Sequence, residues 1–229
     1  MAVLQAIQKA AIRLIGQRPS TIFSSTDTFE MELQDLVNEV AADIAKSADW
    51  QALIRIATLT GDGVTTAFDL PSDYARMLIK SDFIDSNNFA WGYSRIHDIN
   101  EFLALQSAAL PGNWILYGNQ LHFTPVPASG SSTQFPYIDE NYATDTNGTP
   151  KAAFTVDNDI FRLNERLLTL GLVWRWRQNK KLSYGEDEAA FSKAFAELSG
   201  RDRGSRIFAT GPSRFPGNVS MAYPWQLGP

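Results

Sequence analysis

The chain has 229 residues, 44% of them hydrophobic, which is enough apolar material to close one core of ordinary size and excludes a disordered reading for most of its length. It contains no cysteine, so disulfides, thiolate metal sites and cysteine nucleophiles are excluded. The formal charge of -5 is uneven: residues 1–200 carry 16 Lys and Arg against 24 Asp and Glu, residues 201–229 carry 4 against 1, and so the body lacks the basic footprint that phosphate binding requires.

The first sixteen residues set Val3, Ile7, Ala10, Ala11, Leu14 and Ile15 at three- and four-residue spacing, which predicts a helix stopped by Gly16 and Pro19. Lys9 and Arg13 interrupt the stripe and no cleavage site follows, so no export leader is expected. A second helix is predicted over 28–46. Ser24 to Asp27 supply capping oxygens, Glu30 completes a capping box with Asp27, and Leu33, Leu36, Val37, Val40 and Ile44 mark its apolar face. Its other face, with Glu32, Asp35, Glu39 and Asp43, is expected to be solvated.

From Trp50 the period shifts to two. Leu53 to Leu59 and Val64 to Leu70 are expected to form a hairpin around Gly61-Asp62-Gly63. Pro71 ends that sheet, Arg76 to Ile84 is expected to be a strand, and Asp98 to Leu103 opens a short helix. Asn113 to Tyr117 and Gln120 to Thr124 flank Gly118-Asn119, a pair suited to a primed turn, so a second hairpin is predicted there. Gln134 to Tyr142 is expected to pair with it, and Asp145 to Pro150 to form a surface turn.

Helical spacing returns after a cap expected at Asp157-Asn158-Asp159 and runs from Arg162 to Lys181, with a last helix over 188–198. Beyond Gly200 the prolines and glycines forbid regular elements, yet Ile207, Phe208, Phe215, Tyr223 and Trp225 are interspersed with Arg201, Arg203, Arg206 and Arg214. That is too aromatic for a purely solvating segment. The fold class expected is α+β: residues 1–200 as a single helical body, mostly a helical bundle, with a small antiparallel β insertion at about 52–142, and 201–229 as an extended docking arm.

Little of this points to catalysis. The two histidines, His97 and His122, have no spacing relation to a nucleophile, and His122 alternates with Leu121 and Phe123 as a structural strand residue does. Acidic pairs such as Asp139-Glu140 and Asp157 with Asp159 are expected of any acidic chain. Glycoside hydrolysis needs two carboxylates held roughly 5 to 10 Å apart across a cleft, which a sequence does not reveal. Gly61-Asp62-Gly63 lacks the Gly-Lys-Ser/Thr of a phosphate loop. Trp174-Arg175-Trp176-Arg177 alternates rings and cations as a single-strand binder does, but on a helix successive residues diverge by about 100 degrees, which favours packing in the core or against another subunit. No enzyme, cofactor, metal or membrane partner is expected.

The order of these features resembles the head-to-tail adaptor (connector) proteins of tailed bacteriophages, in particular the accessory tail proteins of short-tailed phages. The resemblance is carried by Asp49-Trp50-Gln51-Ala52-Leu53, by Leu70-Pro71-Ser72-Asp73-Tyr74-Ala75-Arg76-Met77, and by a β-rich middle. It continues through Leu172 to Trp176, Lys180-Lys181, Tyr184, Glu188, Phe191 and finally Arg201-Asp202-Arg203-Gly204. It implies a virion neck protein, made in the host cytoplasm, that forms a homo-oligomeric ring, commonly a dodecamer. Such a ring sits between the portal protein and the tail nozzle, with DNA passing through its lumen unbound and the C-terminal arm on the portal. A tail-associated cell-wall hydrolase and a nucleic-acid-binding module are the alternatives.

Overall fold

A computed structural model describes residues 2–78, 93–105 and 112–202, together with the backbone of 84–85. The described residues form helices α1 (Val3–Ile15), α2 (Thr28–Ser47), α3 (Ile99–Leu105), α4 (Glu165–Asn179) and α5 (Gly185–Asp202). The strands are β1 (Ile54–Thr60), β2 (Ala67–Asp69), β3 (Tyr74–Met77), β4 (Ile84–Asp85), β5 (Tyr93–Arg95), β6 (Gly112–Tyr117), β7 (Gln120–Thr124), β8 (Ser132–Asp139), β9 (Ala143–Thr144), β10 (Pro150–Lys151) and β11 (Ile160–Phe161). The chain is therefore α+β. It divides into two compact units, one from residues 2–54 and 138–202, the other from residues 55–137.

In the first unit α4 is the shared element, packing on α1, α2 and α5. The spacing explains why. Val3, Ala6, Ile7, Ala10 and Ala11 bury one stripe of α1, and Leu33, Leu36, Val37, Val40, Ala41, Ile44 and Ala45 one stripe of α2. α1 ends at Gly16, whose φ of 72° suits a left-handed cap and whose N–H reaches Ile12 O. α2 begins after Asp27 as expected, but the Asp27 side chain makes no cap bond, so the capping box is not formed. α4 is buried at Leu167, Leu168, Thr169, Gly171, Leu172 and Val173. At Gly171 a Cβ would stand 2.4 Å from Val40 Cγ1, so the missing side chain sets how closely α2 and α4 approach.

The cap expected at Asp157 to Asp159 serves loops instead. Asn164 caps α4, accepting Arg166 N–H at 2.9 Å. Asp157 takes the N–H groups of Ile22 and Phe23, and Asp159 takes those of Thr155 and Val156 with the Lys151 ammonium at 2.6 Å. The expected last helix is longer at both ends: acids in its first turn, Glu186 to Glu188, suit a helix N-terminus, and it continues through Arg201 and Asp202. Asp202 accepts the N–H of Gln51 at 2.8 Å.

The second unit holds two sheets, one with order β1-β8-β3 and β4 also on β8, the other β2-β7-β6-β5. Their core is Met77, Tyr93, Trp114, Leu121, Phe123, Phe135 and Tyr137. The β6-β7 hairpin turns as predicted, with φ of 60° at Gly118 and 62° at Asn119. The other expected hairpin does not form: β1 pairs with β8, and β2 with β7. Its glycine loop is pinned elsewhere, Gly61 N–H to Ser131 O and Gly63 N–H to Pro127 O, while the Asp62 carboxylate takes the N–H groups of Val64 and Thr65. β8 likewise joins β1, β3 and β4 rather than the β6-β7 hairpin. The strand expected over 76–84 is shorter, ending at Met77, with 79–83 outside the described residues. A small third sheet, β10-β9-β11, belongs to the helical unit and is turned by Asp145, which accepts the N–H groups of Asn147 and Thr149.

The chain leaves the helical unit after Ile54 and returns at Ile138. Arg162 ties both crossings. Its Nη1 donates to Asp139 Oδ2 at 2.5 Å and to Asn141 O at 2.5 Å, and its Nη2 donates to Ala52 O at 2.6 Å. The Asp139 side chain is fully buried; burial pushes its carboxyl up, but the Arg162 and Asn141 bonds outweigh this and hold it below the usual carboxylate range.

Two substitutions probe this unit. Gly171→Ala should destabilise by about 1–3 kcal/mol, because Val40 is short and stiff and overpacking forces a shift. In a thermal melt that corresponds to about 2–4 °C for each kcal/mol in a chain of this size. Arg162→Met should cost about 3 kcal/mol or more at neutral pH by leaving a buried carboxylate unpaired. A carboxyl depressed in the folded state contributes stability that is complete above its unfolded value and lost as pH falls through its folded one. The gap between the two proteins should therefore narrow below about pH 4, read from chemical denaturation as a function of pH.

Candidate interaction surface

The alternating rings and cations of α4 separate onto different neighbours. Trp176 meets Phe29 edge-to-face at 5.7 Å and donates its Nε1 to Glu32 at 3.1 Å. Lys180 reaches the same carboxylate at 2.6 Å, and chiefly this bond, against the opposing effect of burial and with help from Trp176, lowers the Glu32 pKa. Trp174 packs on Phe191, and the Arg175 guanidinium lies over its ring at 4.8 Å. Arg175 also bridges Glu39 at 3.3 Å and Asp43 at 2.9 Å, and Arg177 pairs with Asp187. The acidic face of α2, expected to be merely solvated, thus meets the cations of α4 within one chain, and Glu39 and Asp43 meet Arg175 of the same copy.

Two of the concavities beside α4 bear on a partner. One is an apolar groove of about 300 Å³ between α2, α4 and α5, floored by Val40, Ile44, Trp174, Phe191 and Phe195 and edged by Asp43, Ser47 and Arg175. The buried Trp174 indole N–H and Arg175 Nε have no hydrogen-bond partner among the described residues. The other is a wider, shallower cleft of about 690 Å³ between α1 and α4, lined by Lys9, Arg13, Asn164, Glu165, Arg166 and Thr169 among others. Among the described residues that line it the acid is Glu165, which pairs loosely with Lys9 at 3.6 Å. Next to it Ile12 and Ile15 are 49% and 41% exposed.

The remaining sequence candidates are placed as follows. Arg201 stands in the last turn of α5, paired with Glu197 at 2.8 Å. Arg203, Arg206, Ile207, Phe208, Arg214, Phe215, Tyr223 and Trp225 lie outside the described residues. His122 stacks on Tyr117 at 3.7 Å, and partial burial, only partly offset by the Tyr117 backbone, lowers its pKa. Asp139, Asp157 and Asp159 all hold their own chain together. Among the described residues no group of three or more His, Asp or Glu is placed to hold a metal ion, and no helix is long and apolar enough to cross a membrane. Sequence reading missed the groove, because its floor combines residues of three helices; the one local hint is Phe191 and Phe195, four apart on α5.

The chain matches the SU10 adaptor protein family over residues 1–215, which is nearly its whole length, and it belongs to that family. This is a family of phage structural adaptors, as the order of sequence features implied. No curated protein matches the chain.

With Arg175, Arg177 and Lys180 engaged by acids of their own chain, these three cations have little charge left for phosphates. The double variant Arg175→Ala/Arg177→Ala should therefore bind single-stranded DNA as the parent does, with the same slope of log K against log salt. A shallower slope in the variant, by about one for each lost phosphate contact, would contradict this.

Proposed function

We propose that the chain is one subunit of a homo-oligomeric ring in the neck of a virion, lying between the portal and the tail nozzle and letting DNA pass. The observation that carries this reading is the family match over residues 1–215. In it α1, α2, α4 and α5 serve as a helical bundle that stands beside copies of itself, and closing a ring multiplies each modest contact. The ring is a dodecamer by resemblance to the connectors. Residues 1–200 carry 24 acids against 16 cations, so a lumen built from this body would repel rather than retain DNA.

The C-terminal segment is the portal-binding arm of this proposal. Its rings, Phe208, Phe215, Tyr223 and Trp225, are anchors of the kind that dominate interface energy, and Arg203, Arg206 and Arg214 supply planar donors for acidic partners. The whole arm begins after Asp202 rather than after Leu198, since Asp202 closes the bond to Gln51.

A chain ending at Asp202 should fold with an unchanged melting temperature, yet no longer attach to DNA-filled heads. Attachment at the normal level would defeat the arm reading. The mass of the full chain, alone and mixed with the phage's portal protein, tests the ring itself: a closed multimer is expected in the mixture.

A further inference from the structure

We propose that in the free subunit the start of the C-terminal segment folds back along α5 and seats Phe208 in the apolar groove between α2, α4 and α5 of its own chain. The portal then has to draw this ring out before the segment can grip it. The second statement rests on the arm reading above; the first does not.

The groove suits an apolar guest. Its floor is Val40, Ile44, Trp174, Phe191 and Phe195, and its volume is about 300 Å³. A cavity of roughly 150 Å³ holds a benzene-sized ring, so there is room for one phenyl group and the backbone that carries it. Two donors at its wall also stand without an acceptor: Trp174 Nε1 and Arg175 Nε are buried with no hydrogen-bond partner among the described residues. The Arg175 guanidinium lies over the Trp174 ring, and when it swings aside a backbone carbonyl of the guest can reach these donors.

The place where the segment starts selects it as that guest. Phe191, Phe195 and Asp202 follow one another at spacings of four and seven, so the last residue of α5 lies on the stripe that floors the groove. Asp202 is held there by the Gln51 N–H, and the ring of the adjoining Trp50 meets Phe195 at 5.9 Å. Gly204 comes two residues later, and a glycine just past a helix end commonly reverses the chain. Phe195 is seven residues before Asp202, about 10 Å back along the helix axis. The four residues from Ser205 to Phe208 span up to about 13 Å when extended, enough to bring the ring level with Phe195. Phe208 is the first aromatic residue of the segment, so its return closes the shortest loop. A tether this short gives an effective concentration on the order of millimolar, which favours the chain's own groove over that of another copy at micromolar protein. Such a contact opens by itself before the body melts, so the melting temperature of the body does not report it.

Engineered disulfides do report it, since the chain has no native cysteine. In full-length Ser47→Cys/Ala209→Cys one thiol stands on the edge of the groove and the other beside Phe208. Ala196→Cys/Ala209→Cys is the control: residue 196 is exposed and as near the root of the segment, but it points about 100° away from Phe195 around α5. On the isolated chain, with both variants shown folded by their melting curves, the first pair should close an intrachain disulfide at least about tenfold faster than the second, because bridging requires Cα atoms within about 7 Å. Equal rates would mean a tether without a docking site and overturn the proposal. Interchain dimers from the first pair would place the segment on another copy and overturn it too. Phe208→Ser added to the first pair should bring its rate down to that of the control, and an unchanged rate would remove Phe208 as the anchor.

Portal protein in excess should likewise slow the first pair to the control rate. Portal that binds the chain without slowing the disulfide would refute the competition. The rate on the isolated chain involves no portal, so the two readings fail separately. Attachment of the chain ending at Asp202 to heads would sink the arm and leave the groove contact standing, whereas equal disulfide rates would sink the groove contact and leave the arm.

Discussion

The helical unit is made from two stretches of chain far apart in sequence, and one guanidinium holds them where they part and rejoin. Arg162 grips the Ala52 carbonyl just before the chain departs and the Asp139 carboxylate just after it returns. Burying a carboxylate is costly unless it is paired and hydrogen-bonded, and Asp139 is both, with Asn141 supplying further donors. The same arginine takes the Asn141 carbonyl, so the turn into β9 is set by the contact that closes the unit. Because Arg162 precedes α4 by three residues, this closure also places the start of the helix on which α1, α2 and α5 all pack.

Around α4 the constraints are steric on one side and electrostatic on the other. Gly171 lets α2 come close, and that closeness brings Glu32, Glu39 and Asp43 within reach of Lys180 and Arg175. Exposed ion pairs contribute little individually, so their effect is less to stabilise than to decide which charges remain for a partner. What remains is a surplus of acid along α2 and a surplus of cation between α1 and α4. The two tryptophans follow the same division, Trp176 toward Phe29 and Trp174 toward Phe191.

Local patterns were readable in the sequence where a local interaction decides the outcome. The stripes of α1 and α2 predict their helices to within a residue or two, and Gly118-Asn119 predicts its hairpin because both residues tolerate positive φ. Strand partners were not readable. β1 and β2 alternate as a hairpin should, yet each pairs with a strand more than fifty residues away, since alternation specifies a face and not a neighbour. Acids misled in the same way: Asp157 has the look of a helix cap, but its N–H donors come from Ile22 and Phe23, at the other end of the sequence. The groove was invisible for this reason too, whereas the Trp-Arg-Trp-Arg run was visible as a run but not as four separate contacts.

The bond between Asp202 and the Gln51 amide has a mechanical consequence. Gln51 opens the single turn that leads into β1, and its neighbour Trp50 is locked by Nε1 to Ile44 O at 2.7 Å and by the Phe195 ring at 5.9 Å. The root of the C-terminal segment is thereby stitched to α2 and to the departure of the β-rich excursion. The end of α5 is thus held by a contact outside its own helix, where a bare helix end has only its own last turn.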